Sequence, residues 1–485
     1  MQNVEKLNFI GTVELDNTIK TFGFLPEDRR RHVYMIGKSG MGKSTLLENM
    51  ILQDIYAGDG VCFLDPLGDS AESILDQIPG FRQKDVIYFN PADTEFPIGL
   101  NMLESNNGEP PFLVASSLMA VLKRIWAGVW SARMEYILNN TILALLDTPG
   151  NTLLGVVRML TNDDFRSAIV ENIQNIMVKN FWTQEYTKFD QKYKTEAISP
   201  ILNKVGQFFS STMIRNILGQ RTSQIDFRDI MDSKKIMIAN LAKGKLGEDN
   251  SSLLGSMLVT KFQLAAMSRN DISESERQDF FLYVDEFQNF TNDSFATILS
   301  EARKFRLCLT IAHQYIAQLT AGDPDEVIKN AVFGNVGTII SFRIGSADSE
   351  DMEKELFPLS KNGELRKLFL NLDRSQIIVR TSVLNKVLDP FTANTLPPIY
   401  SSIKGNKLAM TTTSRQLYAT PRIQVEQSIA SYFDSTAILD EQGNVIARPR
   451  KKKKKKKKNK LDDSDTPIQS GETMVFVGGG DYSEE

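Results

Sequence analysis

The stretch GKSGMGKST, residues 37–45, follows the apolar run HVYMI and precedes LLENMILQDI. Residues 33–36 are apolar and β-prone, whereas Leu46, Leu47, Met50, Ile51 and Ile55 recur on one helical face. The order is strand, loop, helix. In that setting Gly37, Gly42, Lys43 and Ser44 carry the phosphate-loop pattern of two glycines, a lysine and a hydroxyl. Glycines let the main chain wrap closely, so that amides and a helix N-terminus face phosphate oxygens. The candidate nucleotide-binding residues are Gly37, Lys38, Ser39, Gly40, Met41, Gly42, Lys43, Ser44 and Thr45. Lys43 would reach the β- and γ-phosphates of ATP, and Ser44 would ligate Mg2+.

Outward from the loop, apolar runs alternate with helical periodicity. GVCFLD (60–65), DVIYFNP (85–91), KKIMIANL (234–241), FFLYVDE (280–286), LCLTIA (307–312), GTIISFRI (337–344) and QIIVRTSV (376–383) read as strands. Residues 250–268 and 293–304 read as helices. Repeated β-α units predict an α/β fold: a parallel sheet with helices on both faces. From 112 to 232 only helical spacing is found, which predicts an all-helical insertion. The expected organisation is an N-terminal ATPase part (1–111), the insertion (112–232), a C-terminal ATPase part (233–399) and a low-complexity, disordered basic tail (400–485).

Composition agrees with a folded soluble chain of 485 residues, 41% apolar and 24% charged. The longest apolar runs fall short of the ~20 residues that cross a bilayer, and the polar N-terminus has no signal-peptide layout, so a cytoplasmic protein is expected. Two cysteines in strand-like runs, Cys62 and Cys308, support neither a disulfide framework nor a zinc cluster. Net charge is -4, yet residues 448–460 hold eleven basic side chains, leaving -15 elsewhere. That lysine run would attract nucleic-acid phosphates irrespective of sequence, or serve only as a solvated tail.

A phosphate loop alone predicts binding. Turnover also needs a carboxylate at the magnesium and a group to orient water. FFLYVDEF delivers Asp285 for the metal and Glu286 as the base that polarises water. The next strand ends in AHQ, which puts Gln314 at its tip as a sensor of the γ-phosphate, with His313 beside it as packing. Between them an amphipathic helix turns Phe295, Ile298, Leu299 and Ala302 inward and leaves Glu301, Arg303 and Lys304 outside. KGKLGED places Lys243 and Lys245 in a glycine loop, either a solvated basic turn or a contact for phosphates. DPLGD at 65–69 is a strand end, with Asp65 a neighbour of the site.

In order, HVYMIGKSGMGKSTLLENM, FLDPLGD, LYVDEFQNF, SEARKFRLCLTIAHQY and FGNVGTIISFRIG resemble the HerA/FtsK superfamily, and most closely its TraG/TraD-type conjugative coupling ATPases. The resemblance spans about residues 20–400. It implies a RecA-like fold, a homo-oligomeric and usually hexameric ring with ATP between subunits, and DNA in the central channel. It also assigns Arg303, eleven residues before Gln314, to the neighbouring subunit's nucleotide, with Arg343 as the competing finger. The helical insertion resembles the all-alpha domain of coupling proteins. Membrane-bound coupling proteins begin with transmembrane helices, which this chain lacks, so the resemblance extends to an inner-membrane secretion channel only if a separate membrane-anchoring or secretion-channel partner holds it; a relaxase or another protein is the candidate cargo. Leu67 stands where relatives commonly carry histidine.

The leading expectation is an ATP-driven, ring-forming DNA translocase of plasmid or mobile-element transfer. Two rivals remain: an ATPase that loads protein cargo for secretion, and a nucleotide-dependent scaffold with little turnover.

Overall fold

The structure is a computed structural model. It describes residues 6–447 except 106–107, 292, 321–325, 358–364, 385, 400–404, 435–437 and 440–444, so the lysine run lies outside the described residues. Eleven strands form one sheet: β1 (Asn8–Leu15), β2 (Thr18–Phe24), β3 (Val33–Ile36), β4 (Gly60–Asp65), β5 (Val86–Phe89), β6 (Ile236–Asn240), β7 (Phe280–Val284), β8 (Leu307–His313), β9 (Thr338–Ser341), β10 (Gln376–Arg380) and β11 (Phe391–Thr395). Their spatial order is 2-1-11-10-9-3-8-7-4-6-5. From β9 to β5 every pairing is parallel, whereas β10, β11, β1 and β2 are joined antiparallel.

The parallel strands read as unbroken apolar runs because both their faces are covered; every residue of β3, β4, β6, β7 and β8 is buried. Helix Lys43–Tyr56 buries the five apolar residues that the spacing picks out, together with Leu52. The crossover from β3 to β4 carries that helix. β8 then lies between β3 and β7, so the phosphate-loop strand and the acidic strand are separated by the strand that ends at His313.

Between β5 and β6 the described residues hold helices and no strand, from Pro111–Ile125 to Phe227–Asp232. These helices share a continuous apolar core with one face of the sheet, running from Ile36 and Leu64 to Trp126 and Trp182. Asn101 ties the way in to the way out: its amide donates to the carbonyls of Asn151 (2.9 Å) and Arg221 (2.7 Å).

One feature was missed in the sequence, and two expectations need correction. The hairpin β1–β2 and strand β11 were not read from the sequence; β2, TIKTFGF, is largely exposed and carries no continuous apolar run. Helix 293–304 ends at Glu301, and Ala302–Phe305 tightens into a 3₁₀ turn because Arg306 (φ 60°) must reverse the chain into β8. The expected end of the fold near residue 400 is too early. Helices Lys407–Tyr418 and Arg422–Asp434 follow, burying Met410, Val425, Ile429 and Tyr432. Four apolar anchors spread among polar residues give little periodicity, yet each is held. Ser414 accepts from the Tyr88 amide (2.9 Å) and the Tyr432 hydroxyl donates to Asn151 (3.1 Å).

Arg29 and Asp54 form a bidentate pair at 2.7 Å, away from solvent; Tyr283 of β7 bonds to both and Asn8 donates to Asp54 at 2.8 Å. The Arg29 guanidinium also lies 3.8 Å from the centre of the Phe281 ring. Removing one partner strands the other charge in the interior. Asp54→Ala is therefore expected to cost about 3–5 kcal/mol of stability by chemical denaturation. A loss as small as that of a surface pair would show that the network contributes little.

Candidate nucleotide site

The phosphate loop is shaped by its glycines and by the strands behind it. Gly40 and Gly42 have φ of 78° and 114°, angles that other residues rarely adopt. Gly37 is constrained by space, since a Cβ there would lie 2.5 Å from Cβ of Phe342. Behind the loop, the Lys38 amide donates to the Arg343 carbonyl (2.9 Å), Phe342 to Ile36 (2.8 Å) and Ser375 to Met41 (3.0 Å). Lys38, Ser39, Gly40 and Ser44 are exposed, Met41, Gly42 and Thr45 half-buried.

Lys43 opens the helix with its ammonium folded under the loop, where it donates to the carbonyls of Gly37 and Lys38. Burial lowers its pKa, against the pull of the Glu286 and Asp285 carboxylates. A buried cation beneath an exposed glycine rim fits a phosphate group.

β7 carries Asp285 and Glu286 to the same end of the sheet. Asp285 is 3% exposed. Burial foremost, then the charges of Glu286 and Asp65, push its carboxyl up to about 7, while the Glu286 amide and Lys43 oppose the shift. One of its oxygens accepts from the Glu286 amide at 2.9 Å. Once ionised, a carboxylate here is close enough to Lys43 to interact with its charge.

Glu286 adopts left-handed angles, φ 45° and ψ 49°. For a residue other than glycine this costs roughly 1–2 kcal/mol and persists only when the surroundings hold it. Three side-chain amides do so. Gln314 donates to Oε1 (2.9 Å), Gln288 to Oε2 (2.8 Å), and Asn289 to the main-chain carbonyl through Nδ2 (2.7 Å). Sequence reasoning did not single out Gln288 and Asn289. Their signal was the polar pair directly behind DEF, residues 288 and 289, at a strand tip.

The sheet thus brings Lys43, Asp285, Glu286 and Gln314 together. Arg303 stands apart, exposed, on the turn that precedes β8. Seven residues of strand separate that end from Gln314, roughly 20 Å. Arg343 lies beside the loop, its carbonyl bracing Lys38. His313 is packing: buried, it bonds to the Tyr34 hydroxyl through Nε2 (2.6 Å) and meets Phe287 edge-on, and burial lowers its pKa to about 3. Asp65 accepts from the amides of Leu67 and Ala71, both at 2.8 Å, and so secures the turn into helix Asp69–Leu75.

A family model described as the type IV secretion-system coupling protein DNA-binding domain matches residues 17–356. The chain belongs to this family. It is similar to the type 4 coupling protein DotL of Legionella pneumophila subsp. pneumophila, with 19% identity over 362 residues, 62% of this chain and 46% of DotL. The chain thus spans about half the length of that curated relative. Among solved structures, unbound conjugative coupling protein TrwB aligns with a TM-score of 0.56 and 15% identity, covering 80% of this chain and 88% of TrwB. TrwB in complex with ADP and Mg2+ gives 0.55 and 15%, over 80% and 90%. VirB4 of Thermoanaerobacter pseudethanolicus gives 0.52 and 12%, over 82% and 98%. These likenesses establish the RecA-like fold expected from the resemblance.

The raised carboxyl of Asp285 sets a pH dependence. Its pKa is about 7 in the fold against an ordinary value of 3.8, so between those values the unfolded chain binds fewer protons than the native one. Stability of the nucleotide-free protein falls as pH rises through this window. Asp285→Asn removes that contribution, and its denaturation midpoint relative to wild type is expected to rise steadily from pH 3.8 to about 7. A constant difference between the two proteins across the window would refute the shift.

Proposed function

We propose that the chain is an ATP-hydrolysing motor that assembles as a ring, hexameric as in its family, and moves DNA during type IV secretion or conjugative transfer. One observation carries this reading: a carboxylate, Glu286, hydrogen-bonded to the tip of the intervening strand and set beside a phosphate loop and a second, buried carboxylate. Residues 37–45 would hold the triphosphate of ATP, with Lys43 at its outer phosphates. Ser44 and Asp285 would hold Mg2+, which when bound withdraws charge from the phosphates. Glu286 accepts a proton from the attacking water, and Gln314 reads the terminal phosphate from the next strand. TrwB, of the same fold, has been crystallised with a non-hydrolysable ATP analogue and with ADP and Mg2+, which supports this assignment.

Arg303 lies too far from its own loop to act there, so we assign it to the adjacent subunit, where a trans arginine is worth ~10³–10⁵ in rate. The family's description as a DNA-binding domain supports DNA as the load. No helix among the described residues is long and apolar enough to cross a membrane. A separate membrane-anchoring or channel partner, and a relaxase or other protein travelling with the DNA, complete the proposal.

A second reading, with protein as the load, has one observation in its favour. An open groove of about 600 Å³ lies between helices Pro111–Ile125 and Ala132–Leu146, lined by Met119, Lys123, Trp130, Glu135, Tyr136 and Asn139.

ATP turnover with and without DNA separates the readings: stimulation by DNA supports the first, indifference to DNA with stimulation by a cargo protein the second, and negligible turnover a scaffold. Glu286→Gln is expected to bind ATP normally and lose ~10²–10⁴ in turnover. Arg303→Ala and Lys43→Ala should each be inactive alone and recover partial turnover when mixed, because an intact loop then meets an intact arginine across a subunit boundary. No recovery would remove Arg303 from the neighbouring site.

A further inference from the structure

The turn after β6 lies at the same end of the parallel sheet as the phosphate loop. It contains Lys243 and Lys245, with Gly244 and Gly247 in open space and Gly247 at φ 81°. Its base is fixed: the Leu241 amide donates to Asp65 (2.8 Å) and the Lys243 amide to Pro66 (2.9 Å). Its tip is free, with Gly244 and Lys245 exposed. The Lys243 side chain, 28% exposed, donates through its ammonium to Asn289 Oδ1 (2.7 Å) and only loosely to the exposed Glu248 (3.4 Å).

Asn289 is the residue whose Nδ2 holds the Glu286 carbonyl. One amide therefore connects a surface ammonium to the main chain of the strained carboxylate residue. The connection has a physical direction. A cation on the amide oxygen polarises the amide and strengthens the bond its nitrogen donates. An ammonium drawn off by a competing anion weakens that bond and loosens the residue it holds.

We propose that Lys243 and Asn289 are positioning residues that couple a DNA phosphate at the Lys243–Gly247 turn to the position of Glu286. The proposal rests on the DNA-motor reading of the nucleotide site. Lysine is a compact, mobile point charge suited to sequence-independent contact with a phosphate backbone. A phosphate that captures the Lys243 ammonium releases the Asn289 amide, and Glu286 gains freedom to meet water. DNA would then accelerate turnover without touching the nucleotide.

The experiment compares the ratio of ATP turnover with a double-stranded oligonucleotide to turnover without it in wild type, Lys243→Ala, Asn289→Ala, the double variant and Lys243→Arg. Each single alanine variant is expected to lower this ratio roughly tenfold, about the worth of one hydrogen bond to a charged group. The double variant should fall no further, and Lys243→Arg should retain most of the ratio. Nucleotide binding measured in parallel establishes that each variant is folded. An unchanged ratio in Asn289→Ala, with a loss confined to Lys243→Ala, would mean that Lys243 only binds DNA and would overturn the coupling. Losses that multiply in the double variant would overturn it too. A wild-type protein whose turnover ignores DNA would sink the DNA-motor reading and this proposal together.

Discussion

Asp54 is a carboxylate without water, and the geometry of the nucleotide site depends on how it is answered. It sits on the far part of the helix that begins at Lys43 and is met by Arg29, Tyr283 and Asn8. Those three partners come from the turn before β3, from the acidic strand and from the N-terminal hairpin. A buried charge tolerates little displacement, because every bond lost leaves a desolvated group unanswered. The phosphate-loop helix and the strand bearing Asp285 are therefore held in a fixed relation, which a site spread over two elements requires.

Rigidity below contrasts with strain above. At the tip of β7 the main chain enters a left-handed conformation at a glutamate, and side chains from the adjoining turn and from the end of β8 hold it there. Strain of this kind marks a place where local preference has yielded to a constraint of geometry. The neighbouring aspartate carries a second unfavourable feature, a carboxylate in a dry position. Both are concentrated within two residues, while the strands that deliver them are fully buried and regular.

Much of the fold was legible because parallel strands covered on both faces must be apolar throughout, as GVCFLD, FFLYVDE and LCLTIA are. The antiparallel margin was not, since β2 is largely exposed and neither runs apolar nor alternates cleanly, with Lys20 and Thr21 adjacent. At the site, Lys43, Asp285, Glu286 and Gln314 declare themselves by residue type at strand ends. Asn289 and Gln288 leave only the weak signal of a polar pair behind DEF, since they bond to a residue whose positive φ the sequence does not announce. Asp54, inside an otherwise apolar helix face, is buried by a partner 229 residues away. Long-range pairing of that sort leaves no local trace.

The helices after residue 405 take on another meaning beside the sheet's far margin. β5 is the last strand in the order and would present unpaired main-chain groups on its outer side. Helix Lys407–Tyr418 packs there, Ser414 takes up the Tyr88 amide, and Arg415 pairs with Asp93 at 2.7 Å. A bare strand edge is a template for pairing with other chains. In a protein whose copies are proposed to meet in a ring, this cover decides which contacts between copies are open. It closes the β5 edge to pairing and leaves β2, largely exposed, as the open margin of the sheet.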